Sequence, residues 1–220
     1  MHKLVCTAAV LWTAATIATP IAARAGSSAP QAAGRAAAAT DGPAYNAAGE
    51  LVRPADYREW VFVSSGLGMT YGPAQPPAAP GAEATAKPPR EPMFDNVFVT
   101  RGAYRAFLNT GIWPDQTMFV LEIRRSLVNV SINNGGRTQG EVAVVEAAVK
   151  DVQRYKATGG WAYFDFGGGE RAKTASAPLP ATASCYNCHA TNTAVENTFV
   201  QFYPELLAAA RKHGSLKPGH

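Results

Sequence analysis

The sequence predicts an α+β fold, an antiparallel β-sheet of about five strands accompanied by two or three helices. Five short segments are rich in β-branched or aromatic residues, and Gly, Pro or Asn residues separate them. Most connections between these segments are too short to hold a crossover helix, so neighbouring strands should run antiparallel. Two further segments have helical spacing, which places the chain among the α+β domains.

The predicted strands are, in chain order, 60–65, 96–99, 117–123, 142–149 and 161–166. An early helix is predicted to begin with Thr100 as its cap, to bury a face that includes Phe107, and to end at Gly111. A last helix is predicted to begin at Pro204, where the missing N–H costs nothing, and to run to Gly214.

The N-terminus has the three parts of a secretory signal: the positive Lys3, an apolar run from Val5 to Ile21, and an A-x-A pattern at Ala23-Arg24-Ala25. We therefore expect a cleaved signal peptide over residues 1–25 and export through the inner membrane to the periplasm. The apolar run is short for a bilayer crossing, and no second segment could span a membrane.

Composition divides the remainder of the chain. Residues 26–50 are rich in Ala and Gly and poor in large apolar side chains, which predicts a disordered leader. A single domain is expected over 51–211, interrupted by a surface loop at 73–92 whose prolines cannot donate ladder hydrogen bonds. Residues 212–220 are expected to form a polar tail.

Charge and cysteine content exclude two classes of protein. Loss of the signal peptide removes Lys3 and Arg24 and leaves 18 basic and 16 acidic side chains, a net charge of +2. That balance, without a basic stripe, argues against a nucleic-acid-binding protein. Only Cys185 and Cys188 remain, and one bridge is no disulfide scaffold.

The clearest functional motif is Cys185-Tyr186-Asn187-Cys188-His189, a C-x-x-C-H. Two cysteines at this spacing can each add across one vinyl group of a haem and form two thioethers. The adjacent His189 can then ligate the iron through a ring nitrogen. The motif predicts one covalently attached haem c. A thioredoxin-like redox pair, a small disulfide ring and a zinc site are the alternatives.

The position of the motif predicts a five-coordinate iron. No methionine follows His189, and no histidine occurs between residues 26 and 188. Met69, Met93 and Met118 all lie upstream, where methionine usually fills a core or a loop. An iron without a sixth protein ligand has an open face that binds small molecules.

Further motifs follow one another along residues 51–211. They are Tyr57-Arg58-Glu59-Trp60-Val61, Val97-Phe98-Val99, Tyr104-Arg105-Ala106-Phe107, Thr110-Gly111-x-Trp113-Pro114-Asp115, Glu146-Ala147-x-Val149-Lys150-Asp151, and the C-x-x-C-H followed by Phe199-x-x-Phe202-Tyr203-Pro204. Together they resemble the cytochrome P-460 family, whose relatives include cytochrome c′-beta. The resemblance implies an antiparallel sheet, a homodimer and a five-coordinate c-type haem. It also implies one of two activities, oxidation of hydroxylamine or nitric oxide, or binding of nitric oxide and carbon monoxide without clear turnover.

Within that resemblance, two residues favour different activities. The oxidising members carry a lysine that is cross-linked to the haem edge, and the matching residue here is Leu121, which has no nucleophilic nitrogen. Glu146 matches their distal glutamate.

We expect Glu146 to share a strand face with Val142, Val144 and Ala148, where apolar neighbours would raise the pKa of its carboxyl and suit it to proton transfer. The alternative is a glutamate that reaches water or Arg124 or Arg125.

The first functional hypothesis is therefore a periplasmic, dimeric cytochrome that binds nitric oxide or related small nitrogen ligands. The second is an oxidoreductase that acts on hydroxylamine or nitric oxide and uses Glu146 without the cross-link. The third is an electron carrier with a methionine as sixth ligand. In each case a periplasmic electron-transfer protein is a candidate partner.

Overall fold

A computed structural model of the chain describes residues 41–70 and 91–220, which all belong to one compact unit. The predicted signal peptide, residues 26–40 of the predicted leader and residues 73–90 of the predicted proline-rich loop lie outside the described residues. In the described ranges, no helix has both the length and the apolar character needed to cross a bilayer.

The predicted α+β fold is confirmed. The strands are β1 (Leu51–Val52), β2 (Val61–Leu67), β3 (Met93–Val99), β4 (Met118–Val128), β5 (Arg137–Lys150), β6 (Trp161–Asp165) and β7 (Ala175–Ser176). The α-helices are α1 (Arg101–Thr110), α2 (Ser184–Asn192) and α3 (Pro204–His213). Strands β2 to β6 form a five-stranded sheet in chain order, and β1 pairs with β7 in a separate sheet. Every pairing is antiparallel.

Alternating side chains give the five-stranded sheet two buried faces. On the helix face, Phe119 of β4 packs with Phe107 of α1 and Leu206 of α3. On the opposite face, which we call the outer face, Val120 of β4 packs with Leu51 of β1. The sheet therefore separates two apolar cores, and the candidate site described below lies on its helix face.

The ends of α1 and α3 follow the predicted signals, with one correction. Gly111 ends α1 and Gly214 ends α3, each in the left-handed conformation that glycine adopts without a steric penalty. Thr100 was predicted to cap α1, but its side chain makes no capping hydrogen bond. Instead the Asp41 carboxylate accepts the hydrogen bond from the Gly102 N–H. This cap comes from a distant segment, so local sequence could not reveal it.

Residues 41–50 belong to the packed domain, although composition placed them in the leader. Tyr45 pairs with Leu51 in a β-bridge, and its hydroxyl lies 3.0 Å from the Tyr155 hydroxyl. The Arg154 guanidinium lies 3.9 Å from the centroid of the Tyr45 ring. One aromatic side chain thus anchors a segment of low overall hydrophobicity, and the packed domain includes residues 41–50 as well as those from Leu51 onward.

A β-bulge corrects one predicted strand face. Between Ile123 and Arg124 of β4 the register with β5 shifts, which leaves Ala143 as an extra residue. Val142 therefore packs with the outer-face core and does not share a face with Glu146. A bulge reverses the inward–outward alternation on one side of it, and the sequence pattern does not mark where it occurs.

A buried carboxylate network, which was not predicted, fixes β4 from the outer face. Glu122 is 2% exposed and accepts hydrogen bonds from the Tyr57 hydroxyl at 2.5 Å, Arg58 Nε at 2.9 Å and Arg124 Nε at 2.7 Å. Burial opposes its ionisation, but these hydrogen bonds outweigh burial and hold the pKa of Glu122 below its usual range. The network anchors the strand that carries Leu121 on its other face.

Candidate haem site

The C-x-x-C-H motif lies on α2, a helix that was not predicted. The segment is short and polar and has no apolar periodicity from which a helix could be inferred. Cys185 and Cys188 are both free thiols, and residues three apart lie on the same side of a helix. Tyr186 packs edge-on against Tyr163 of β6, with ring centroids 4.9 Å apart. The helix thus presents both thiols together on the helix face of the sheet.

His189 is oriented as a ligand through Nε2. Its Nδ1 lies 2.8 Å from the Asn197 carbonyl oxygen, which can only accept, so Nδ1 carries the proton. Its ring packs between Tyr163 and Phe199, at centroid distances of 4.4 and 4.7 Å. Burial lowers the pKa of His189, which favours the neutral imidazole. A carbonyl that fixes the tautomer in this way is the usual support of a metal-ligating histidine.

Leu121 and Glu146 are direct cross-strand partners on β4 and β5. Leu121 also pairs with Val97 of β3, and Val97 pairs with Ser64 of β2. Directly paired residues project to the same face, so these four residues lie in one row, which Asp165 of β6 completes as the other partner of Glu146. The row was not predicted, because the register of β4 and β5 depends on the bulge.

One cavity brings all five predicted site residues together. Its helix wall includes Cys185, Cys188 and His189, and its sheet wall includes Leu121 and Glu146. Its volume is about 480 Å³, within the ~300–1,000 Å³ that small-molecule and cofactor sites occupy. The remaining lining is mostly apolar and aromatic.

Glu146 is a carboxyl with little electrostatic support for its ionised form. Burial raises its pKa first, and the nearby Asp165 and Asp95 raise it further. Arg124, which could have paired with it, bonds Glu122 at 2.7 Å instead. Arg125, the other candidate, lies 3.9 Å from the carboxylate of Glu141.

Asp95 is a second carboxyl on the cavity wall, and the sequence analysis missed it. It lies on β3 and lines the cavity, and burial raises its pKa. The predicted strand began one residue later, at Asn96, and the predicted loop ended at Pro92, so Asp95 was assigned to neither. A strand boundary that is wrong by a few residues is enough to hide such a side chain.

The structure separates the three methionines that were considered as sixth ligands. Met69 lines the cavity. Met118 is 1% exposed and belongs to the outer-face core, on the other side of the sheet. Met93 pairs with Arg125, beyond Asp95, and is not among the described lining residues. Of the three methionines, only Met69 therefore remains a candidate for the sixth iron ligand.

The residues around the cavity fit a haem. Tyr163 lines it, is 5% exposed, and its hydroxyl has no hydrogen-bond partner in the described part of the chain. A buried polar atom without a partner is unfavourable by ~1–3 kcal/mol, which a bound group could relieve. Two adjacent thiols, an imidazole nitrogen and apolar walls complete the donor set for a haem. In the described ranges, no three His, Cys, Asp or Glu side chains are grouped closely enough to hold a metal ion by themselves.

Comparison with known proteins agrees with this geometry. A family model described as Cytochrome P460 matches residues 54–200, about two thirds of the chain. The match includes the five strands of the main sheet and the whole of α2. No match was found among curated proteins.

Proposed function

Because the chain belongs to the cytochrome P-460 family of haem-binding cytochromes, we propose that it is a c-type cytochrome whose open haem face takes up nitric oxide or a related small nitrogen ligand. One observation carries the proposal. His189, with its Nε2 unprotonated, and the Leu121–Glu146 pair line the helix wall and the sheet wall of the same cavity.

The five predicted site residues that line the cavity have different roles. Cys185 and Cys188 anchor the haem through thioethers, and His189 ligates its iron through Nε2. The bound haem supplies an iron centre that accepts small ligands and exchanges electrons. Leu121 presents a hydrocarbon side chain to the cavity and leaves the haem edge unmodified. Glu146 retains a proton to higher pH than an exposed glutamate and can deliver it to a ligand in the cavity.

A second candidate, oxidation of hydroxylamine or nitric oxide, is supported by the carboxyl of Glu146. Its position on the cavity wall and its raised pKa suit a residue that takes up protons released by the oxidised substrate. Leu121 argues against this candidate, because it cannot form the lysine cross-link of the oxidising members. We therefore place ligand binding first and turnover second.

Carbon monoxide binding tests whether the haem face is open. The purified ferrous haem protein should be high-spin and should give a carbon monoxide spectrum at stoichiometric ligand. Met69→Leu removes the one described cavity-lining thioether, and Met118→Leu, in the outer-face core, is its matched control. Neither change should alter the spin state. A low-spin parent that Met69→Leu converts to high-spin would instead establish the electron carrier.

Localisation and assembly complete the proposal. The signal-like N-terminus supports export to the periplasm, where covalent haem attachment of this kind takes place. Family membership supports a homodimer and a periplasmic electron-transfer partner. Size measurement of the purified haem protein in solution tests the dimer.

A further inference from the structure

The helix that carries the haem motif has little apolar anchoring. None of the side chains of α2 is buried, so core packing alone holds it weakly. A helix also leaves its last four carbonyls without intrahelical partners. No glycine closes this end, since Thr193 follows α2 in an extended conformation. Donors from elsewhere in the chain can satisfy this end in place of water.

Side chains beyond the helix supply donors to three of those four carbonyls. The pairs are Thr193 Oγ1 with the His189 carbonyl, Lys217 Nζ with the Ala190 carbonyl at 3.0 Å, and Gln201 Nε2 with the Asn192 carbonyl at 2.6 Å. Lys217 is the only cation of the three, and a positive charge is favourable at the C-terminal end of a helix.

Lys217 belongs to the segment that was predicted to be a polar tail, yet the segment is anchored. Its backbone N–H donates to the Ala194 carbonyl at 2.8 Å. The preceding Leu216 packs against the helix-face core. Lys217 Nζ also donates to Thr193 Oγ1 at 2.9 Å. Composition marks these residues as polar, but it does not show that the chain folds back onto α2.

Thr193 connects Lys217 to His189. It is fully buried, with 0% exposure. Its hydroxyl accepts a hydrogen bond from Lys217 Nζ, and its single proton is shared between the His189 and Glu196 carbonyls. The turn that follows Thr193 supplies the Asn197 carbonyl, which accepts the hydrogen bond from the His189 ring. The backbone and the ring of His189 are thus both held by residues 193–197. Lys217 fixes the first of these residues.

We propose that Lys217 is a positioning residue of the haem site. It clamps the C-terminal end of α2 and, through Thr193, holds the His189 ring with Nε2 toward the cavity. The proposal rests on the proposed role of His189 as the iron ligand. Lys217 itself is not among the described lining residues of the cavity, so it acts through the chain rather than by contact with the haem.

Two readouts on the purified haem protein test the clamp. The first is the iron–histidine stretching band of the ferrous protein, measured by resonance Raman spectroscopy. The second is amide hydrogen exchange at residues 189–193. Lys217→Met keeps the aliphatic stem and removes the ammonium. It should broaden the iron–histidine band and lower its frequency, and it should speed amide exchange about tenfold. Lys217→Arg should retain most of both signals.

Lys212→Met is the matched control, because Lys212 is an exposed lysine near the end of α3. It should leave the band and the exchange rates unchanged. Thr193→Val removes the connecting hydroxyl at nearly constant volume and should reproduce the band shift. In the Thr193→Val background, Lys217→Met should speed amide exchange by less than about twofold, since both changes break the same Lys217–Thr193 contact.

Two outcomes would overturn the proposal, and they differ. If Lys217→Met speeds exchange or lowers the melting temperature but leaves the iron–histidine band unchanged, the contact is only structural. If the parent ferrous protein is high-spin and still shows no iron–histidine band, then His189 is not the ligand. The proposed function fails in that second case and takes this proposal with it.

Discussion

The Cys185→Ala, Cys188→Ala double variant should lose its covalent haem completely. In the parent, intact-mass analysis should show one polypeptide plus one haem. The haem should stay attached to the polypeptide during extraction with acid and organic solvent. The two thiols lie on the cavity side of α2 and are the only cysteines outside the predicted signal peptide. No other described side chain around the cavity can form a thioether, so attachment has no second route.

A neighbouring residue provides the control for this loss. Asn187→Ala changes an exposed position between the two cysteines and should leave the haem mass intact. Free thiols or a simple disulfide in parent protein made with the haem-attachment machinery present would refute covalent attachment. The thioredoxin-like alternative would then become the better interpretation of the motif.

The second large effect is expected from Leu121→Lys, which introduces the amine that the oxidising relatives possess. The new side chain would replace a half-buried leucine directly across from Glu146. Opposed side chains in an antiparallel pair have Cβ atoms ~4.5–5.5 Å apart, so the ammonium can reach the Glu146 carboxylate. That pairing makes the buried charge tolerable. It should also lower the raised pKa of Glu146, since a nearby cation favours the ionised form.

We expect Leu121→Lys to gain hydroxylamine oxidation after oxidative treatment, measured as nitrogen oxides formed with an added electron acceptor. A link between the haem and the peptide 117–125 should appear in the mass spectrum at the same time. Adding Glu146→Ala should then lower turnover by ~100-fold, the size expected for loss of a proton-transferring group. Leu121→Met, of similar length but without an amine, is the matched control and should gain neither the link nor the activity.

The opposite result would change the functional assignment. If the parent already oxidises hydroxylamine at a rate that Leu121→Lys leaves unchanged, the missing lysine has no bearing on activity. The oxidoreductase candidate would then replace ligand binding. If neither variant alters ligand binding or turnover, Leu121 and Glu146 are structural residues.

Local sequence signals were sufficient for most of the fold. The β-branched and aromatic runs that end near Val99, Ile123 and Phe166 became strands of the main sheet, and Pro204 and Gly214 delimit the last helix. These features depend on neighbouring residues alone, so they could be predicted from the local sequence pattern. The C-x-x-C-H motif predicted its three candidate residues from chemistry and spacing that are both local, and the structure places all three on the wall of one cavity.

The parts that were missed depend on contacts between distant segments. Asp41 caps a helix that begins about sixty residues later, and Lys217 donates a hydrogen bond to the C-terminal end of α2, the helix that carries the motif. The pairing of Leu121 with Glu146 depends on a bulge that the pattern does not announce. Such contacts form only when the chain folds back on itself, and periodicity and composition do not record them.

Titration of the purified ferrous haem protein with nitric oxide tests directly whether the haem face takes up this ligand. We expect a single spectral transition that saturates at one nitric oxide per chain. The product should be stable in the absence of oxygen and an electron acceptor. Glu146→Gln should still saturate at the same stoichiometry, because the claim rests on an open haem face. A ferrous spectrum that nitric oxide leaves unchanged, with the low-spin signature of a six-coordinate iron, would contradict the account.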